Sequence, residues 1–232
     1  MTSASIVNTS AGLAKHLANV YSFLSVGLFT TAMVCHMVMA NPGVLALLMT
    51  PWILISLIIA EFALVIYLAS SSRRDNASFF SDFVSFLIFS GLNGLTLTPF
   101  VMMYTGESVA SAFFVTTGTV VAMSIVGYTT KKDLSGMGTF FLGALIGLII
   151  VMIANTFIAS SGLAILISCF AVLLFTGLIA YDTQRIKDLY RPGMESSDYG
   201  MRLAVSGALD IYLDFINLFI HLLRLFGNLS DD

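Results

Sequence analysis

Five polar side chains sit inside the last hydrophobic stretch of this chain, Leu203 to Phe226: Asp210, Asp214, Asn217, His221 and Arg224. Their spacings of four, three, four and three keep returning to one side of a helix, within a strip roughly 80° wide. The rest of the circumference is Ile, Leu and Phe, with Tyr212 and small residues. Acids, an imidazole and a guanidinium in such a strip can hold protons, pair with one another or offer oxygens to a cation. Ionisable groups in an apolar span are expected to face other helices or a watery cavity, not lipid. The other helices are therefore expected to surround this one.

Further ionisable groups inside apolar segments are His36, Glu61 and Asp182, with Asp82 at the start of a segment. Glu61 lies mid-segment, where a charged carboxyl facing lipid is costly. It is either protonated and hydrogen-bonded to a neighbouring helix or part of an ion or proton pathway. His36 needs one or two hydrogen bonds and carries less weight, and Asp82 is expected to be interfacial and solvated. Asp182 closes the sixth segment, and Asp210 and Asp214 lie roughly 10 and 16 Å into the seventh at 1.5 Å per residue. Depth counting favours Asp210 as the partner of Asp182 but leaves Asp214 open. Two carboxyls in a low-dielectric bundle cannot both ionise cheaply, so such a pair shares a proton or binds a hard divalent cation such as calcium. Separate pairing of each acid with Arg or Tyr is the plainer arrangement.

The elements that must position these groups follow from composition. Of 232 residues, 58% are hydrophobic and only 10% charged, well below a soluble domain, and mean hydropathy is +0.96. The fold class is an all-α integral membrane protein with seven transmembrane helices, six around a central C-terminal one. The segments are roughly Val20–Ala40, Val44–Ala69, Phe79–Tyr104, Val109–Tyr128, Gly138–Ala159, Leu163–Asp182 and Leu203–Phe226. Residues 1–19 form a short polar N-terminus, 20–226 a single transmembrane domain, and 227–232 a short tail. The first segment is read as an uncleaved span, not a signal peptide. Pro51 and Pro99 either kink their helices or mark an edge. Gly143 and Gly147 form a G-x-x-x-G spacing, expected to pack inside the bundle rather than between copies.

Nine of the ten lysines and arginines fall before the first span or in alternate links, the exception being Arg224. The positive-inside rule places those links and the N-terminus in the cytoplasm, and seven full spans put the C-terminus outside. A re-entrant last segment would return it inside. The net charge of −3 implies no nucleic-acid partner. Cys35 and Cys169 form no CxxC pair, and both are expected as buried small hydrophobes.

Enzyme readings do not fit. No span carries the lysine a retinal protein needs. An aspartyl intramembrane protease would have G-x-G-D where this chain has Gly207-Ala208-Leu209-Asp210, and its Pro-Ala-Leu motif is absent. The serine counterpart G-x-S-G is not met by Ala204-Val205-Ser206-Gly207. The chain is expected not to be an enzyme and to need no cofactor.

The stretch Gly207-Ala208-Leu209-Asp210-Ile211-Tyr212-Leu213-Asp214-Phe215-Ile216-Asn217-Leu218-Phe219, followed by Leu222-Leu223-Arg224, resembles the signature of the Bax inhibitor-1 family. Tyr181-Asp182-Thr183-Gln184 is similar to that family's other recurrent segment. The resemblance implies a pH-sensitive calcium leak, with calcium and protons as its ions and no enzymatic role. It implies gating by an aspartate pair on spans six and seven, Asp182 and Asp214, which would also be the calcium ligands. Asp210 stands where relatives often carry Ser or Thr, a departure that touches the pH set-point. By the same resemblance Arg73 or Arg74 would latch the span-six aspartate and Glu61 would be the acid of span two near the pore; Asp210 is read with Glu61 as an accessory ion pathway. The alternative is a non-conducting regulator of a membrane protease or of a cell-death or stress partner. A bacterial-type inner (plasma) membrane protein is the expected setting.

Overall fold

The computed structural model describes residues 3–70 and 77–230, with side chains from Ser10 onward. Eight α-helices follow one another: α1 (Ser3–Met39), α2 (Pro42–Leu48), α3 (Pro51–Ala69), α4 (Phe79–Val101), α5 (Gly106–Thr129), α6 (Gly138–Ile158), α7 (Ser161–Leu189) and α8 (Asp198–Phe226). Seven of them are long and apolar enough to cross a membrane, α2 being the short exception. Among the described residues there is no strand, only an isolated bridge between Tyr104 and Leu229. The protein is an all-α integral membrane protein.

Helix ends fall where local chemistry satisfies orphan backbone groups. Asn41 accepts from the Val44 N–H ahead of α2, Ser78 from Ser81 ahead of α4, and Thr105 from Ser108 ahead of α5. Pro51 sits at the first position of α3, where a missing N–H costs nothing. It therefore divides the expected second segment into α2 and α3. Pro99 lies in the last turn of α4, which still runs to Val101. Ala159 closes α6 in the left-handed region, at φ 53°. The polar stretch before Val20 continues α1, while α7 runs seven residues past Asp182 and α8 starts five before Leu203.

Burial separates the helices sharply. In α8, 67% of the most apolar stretch is enclosed, against 6% in α3. The C-terminal helix is thus the core element, as its polar stripe requires.

The chain divides into two compact units, Met1–Met103 with Leu189–Tyr212, and Tyr104–Asp188 with Leu213–Asp232. Helix α8 contributes its first half to one and its second half to the other. In the first unit α1 and α4 pack closely at Gly94, where a Cβ would stand 2.8 Å from the Thr31 carbonyl oxygen. Tyr212 of α8 is fully enclosed there, edge-on to Phe86 and Phe89 at ring distances of 5.7 and 5.5 Å. The Asp198 carboxylate accepts from the Phe79 N–H at 2.9 Å, joining the starts of α8 and α4. Lys15 Nζ donates to Ser196 Oγ at 2.7 Å.

In the second unit α5 meets α7 at Gly127, where a Cβ would collide with the Ala180 carbonyl. Gln184 accepts from the Leu134 N–H (2.7 Å) and donates to the Lys132 carbonyl (2.9 Å). Lys187 Nζ donates to the Tyr128 carbonyl at 2.9 Å. At the other end Asn228 donates to Ser108 Oγ and accepts from the Thr105 N–H. The end of α8 therefore meets the start of α5. In the second unit the link holding Lys131 and Lys132 thus lies against the basic end of α7.

Three expectations are corrected. A Cβ at Gly143 or Gly147 would meet nothing within 4 Å, so this G-x-x-x-G face is not packed inside the bundle. Cys35 is buried but Cys169 is exposed. Asp82 is buried, at 1% exposure, because Arg202 reaches it.

Candidate functional site

The second half of α8 lies along α7, and the two helices run in opposite directions. On α7, Ser168, Phe175 and Asp182 recur every seven residues; on α8, Asp214 and His221 do the same. Seven residues is two turns, so each set stays on one face. Asp214 meets Asp182, and one repeat further along α8 His221 meets Phe175 and Ser168.

At the first level the Asp182 and Asp214 carboxyls are hydrogen-bonded to each other. Both are buried, at 7% and 5% exposure. Two ionised carboxylates cannot donate to each other, so side chains placed this way can share a proton. Arg185, one turn along α7, places Nη1 3.9 Å from Asp182 Oδ1, with its own side chain half exposed. Asp182 thus stands between a second buried acid and a partly solvated guanidinium. Arg185 is the arginine beside it; Arg73 and Arg74 lie outside the described residues.

At the second level His221 is buried, its Nδ1 3.2 Å from Ser168 Oγ and its ring stacked on Phe175 at 6.4 Å. Asn217, between the two levels, turns back to its own helix and donates to the Leu213 carbonyl at 2.8 Å. Arg224 is exposed. The five-residue stripe is therefore not one cluster: Asp214 and His221 are sealed against α7, and Asp210 lies in the first unit at intermediate exposure.

Two polar groupings occupy the first unit. Arg202 Nε donates to Asp82 Oδ2 at 3.2 Å, both residues being buried. Further along, Glu61 on α3 accepts from Thr96 Oγ1 at 2.7 Å and is also hydrogen-bonded to Asn93. Asn93 in turn meets the Tyr212 hydroxyl at 3.1 Å, which lies 2.6 Å from Thr31 Oγ1. Glu61 is thus turned toward α4 rather than bare to lipid. Thr31, Asn93, Thr96 and Ser168 did not stand out in the sequence, because uncharged polar residues are common in spans. The recurrence of Ser168, Phe175 and Asp182 in seven-residue steps, and of Asp214 with His221, is the signal that would have matched Ser168 to His221.

Among the described residues no group of three His, Cys, Asp or Glu side chains could hold a metal ion. The carboxyl pair offers its oxygens without a third acidic or imidazole ligand.

Comparison with known proteins matches residues 13–231 to the family model described as inhibitor of apoptosis-promoting Bax1. The chain is 42% identical to inner membrane protein YbhL of Escherichia coli K12, over 97% of this chain and 96% of that protein. It is 38% identical to an uncharacterized membrane protein of Streptococcus pyogenes serotype M1, over 94% and 95% of the two chains. It is 36% identical to an uncharacterized protein of Borreliella burgdorferi, over 94% of each. The buried aspartate pair on the last two spans sits within the matched region, and the chain belongs to the Bax inhibitor-1 family.

Proposed function

We propose that this multi-pass membrane protein is a pH-sensitive, calcium-permeable leak whose gate is the Asp182–Asp214 pair. The observation that carries the reading is the hydrogen bond between two buried carboxyls on successive spans. One shared proton holds α7 and α8 together at this level. Loss of that proton leaves two negative charges in a low-dielectric site, which drives the helices apart and exposes oxygens to a cation. Calcium, a hard ion with a preference for carboxylate oxygen, is the ion such a pair would pass. The lack of a third acidic ligand among the described residues favours passage over tight storage.

Glu61 and Asp210 are assigned to an accessory route for ions or protons. The membrane is taken to be the bacterial inner membrane, with the N-terminus and basic links in the cytoplasm. That orientation is supported by the charge bias of the links. The chain acts without a cofactor and without catalysing a reaction.

Purified protein in liposomes holding a calcium-sensitive dye tests this reading. Wild type is expected to carry calcium above the level of protein-free vesicles, at a rate that changes with pH. Asp182→Asn is expected to remove the pH dependence. Flux no greater than that of empty vesicles from acid to neutral pH would overturn the leak and favour a non-conducting regulator that binds a membrane protease or stress partner.

A further inference from the structure

The grouping around Glu61 forms a continuous chain of polar atoms from α3 to α8, in a unit the aspartate pair does not occupy. Glu61 Oε1 accepts from Thr96, and the carboxyl also meets the Asn93 side chain. Asn93 Oδ1 stands 3.1 Å from the Tyr212 hydroxyl. That hydroxyl lies 2.6 Å from Thr31 Oγ1, and either oxygen of this pair could donate. Thr31 Oγ1 also lies 2.9 Å from the Ser90 carbonyl and 3.1 Å from the Gly27 carbonyl. The Ser90 hydroxyl donates to the Phe86 carbonyl at 2.9 Å and retains its lone pairs for Tyr212.

The hydrogen count along this chain is restrictive. Tyr212 and Thr31 carry one hydroxyl hydrogen each, and the Asn93 amide donates at one end and accepts at the other. If Glu61 is ionised it can only accept. Asn93 then donates Nδ2–H to the carboxylate and receives the Tyr212 hydrogen on Oδ1. Tyr212 in turn must accept from Thr31, whose hydrogen leaves the backbone carbonyls. If Glu61 is protonated it donates to Asn93 Oδ1. The amide turns over, Nδ2–H points to the Tyr212 oxygen, and Tyr212 donates to Thr31. Thr31 then gives its hydrogen to the Ser90 or Gly27 carbonyl. The same heavy-atom positions serve both patterns, and the number of hydrogens is correct in each.

We propose that Glu61 is a second proton-responsive site, whose charge state is passed to α8 as a reversal of hydrogen-bond direction through Asn93, Tyr212 and Thr31. Thr31, Asn93 and Tyr212 are positioning residues in this device and transfer no proton along it. The receiving end of the chain is enclosed, Tyr212 being fully buried and Thr31 nearly so, while Glu61, Asn93 and Thr96 are half-buried. At that end water does not supply substitute partners. The groups that face Glu61 are few. Helix α4 presents Asn93 and Thr96, which do not titrate; α8 presents Tyr212; α1 carries buried Cys35, which donates to the Gly94 carbonyl at 3.2 Å, and exposed His36. The device does not depend on calcium passage, and its receiving residue lies two positions before Asp214 on the same helix.

Infrared difference spectroscopy across pH on the full chain in lipid bilayers, with ring-labelled tyrosine, reads both ends. The Glu61 carboxyl band is assigned by its loss in Glu61→Gln, and the Tyr212 C–O stretch by its loss in Tyr212→Phe. The C–O stretch responds to whether the phenol donates or accepts. In wild type the two bands are expected to change in the same pH step. In Glu61→Gln, the Tyr212 band is expected to stay at one frequency throughout. Asn93→Leu should let Glu61 titrate while Tyr212 no longer follows. Tyr212→Phe keeps the ring packing against Phe86 and Phe89, and Glu61→Gln is isosteric. The wild-type and Glu61→Gln pair decides the matter even if Asn93→Leu fails to fold. A Tyr212 band that stays fixed while Glu61 changes charge would overturn the relay. A Glu61 carboxyl that keeps one charge state wherever the protein is folded would overturn the site itself. Neither result depends on whether the protein carries calcium.

Discussion

The two halves of α8 bury acids in opposite ways. In the first half Arg202 reaches across to Asp82, so a buried negative charge is met by a buried positive one 3.2 Å away. In the second half Asp214 meets Asp182, so an acid is met by another acid, with an exposed guanidinium at 3.9 Å on one side only. The first arrangement pairs opposite charges and ties α4 to α8. The second can share a proton. One helix therefore carries an opposite-charge clamp and an acid–acid pair, each in its own compact unit.

The largest expected effect lies at the clamp. Arg202→Ala leaves Asp82 buried without its cation and is expected to cost about 3–5 kcal/mol. The apolar double variant Arg202→Met with Asp82→Leu should regain most of it. Unfolding in detergent measures both. A loss for Arg202→Ala near that of an ordinary surface change would break the contrast.

The second unit should depend instead on close backbone contact. Gly127→Ala forces a methyl into the Ala180 carbonyl and is expected to cost about 1–3 kcal/mol by overpacking. The same unfolding assay, with limited proteolysis of the α5–α6 link, checks it. An unaffected variant would show that α5 and α7 separate freely.

Asp214→Asn sharpens the comparison with a smaller effect, on the order of 1 kcal/mol or less at acid pH. The amide still bonds Asp182 but no longer needs the shared proton. Wild-type stability is expected to fall as pH rises and the second charge forms, and the variant to be nearly flat. Parallel curves for the two proteins would mean the pair is not proton-dependent.

The smallest effect belongs to the link between α7 and α8, outside the spans. Its own backbone N–H, the Tyr190 hydroxyl at 2.9 Å and the nearby Lys15 hold the Glu195 carboxyl below the usual glutamate range. A lowered value means the carboxylate's contribution is complete above the unfolded glutamate value. It is lost as pH falls through the lower folded one. Hydrogen exchange in residues 190–197 should therefore quicken only in acid. Glu195→Gln should abolish that step. A step that persists in the variant would assign it to another group.

Much of this layout was legible before any coordinates. Seven apolar segments, their polar links and a buried last helix follow from hydropathy and from the stripe on α8. The partner of Asp182 did not follow from depth. Counting residues assumed that α7 ends near Asp182 and α8 begins at Leu203 on one level, whereas α7 runs on to Leu189 and α8 starts at Asp198. The family signature pointed to Asp214, and the contact found is with Asp214. Asp82 was misjudged because its cation, Arg202, lies 120 residues away in a link that turned out to be helix. The glycines at 143 and 147 show the limit of a local motif. Spacing says two helices can approach there, but not that a neighbour exists. The Glu61 chain was invisible because Thr31, Asn93 and Tyr212 become a network only when α1, α4 and α8 are folded together.

The central claim is that Asp182 and Asp214 act as one proton-sharing unit that gates calcium. The most direct measurement is a double-mutant cycle on calcium flux into liposomes across pH, using Asp182→Asn, Asp214→Asn and both together. If the pair is the gate, each single variant abolishes the pH dependence and the double variant adds nothing further. If wild type conducts and its pH dependence survives in the double variant, the gate lies elsewhere and the account is contradicted.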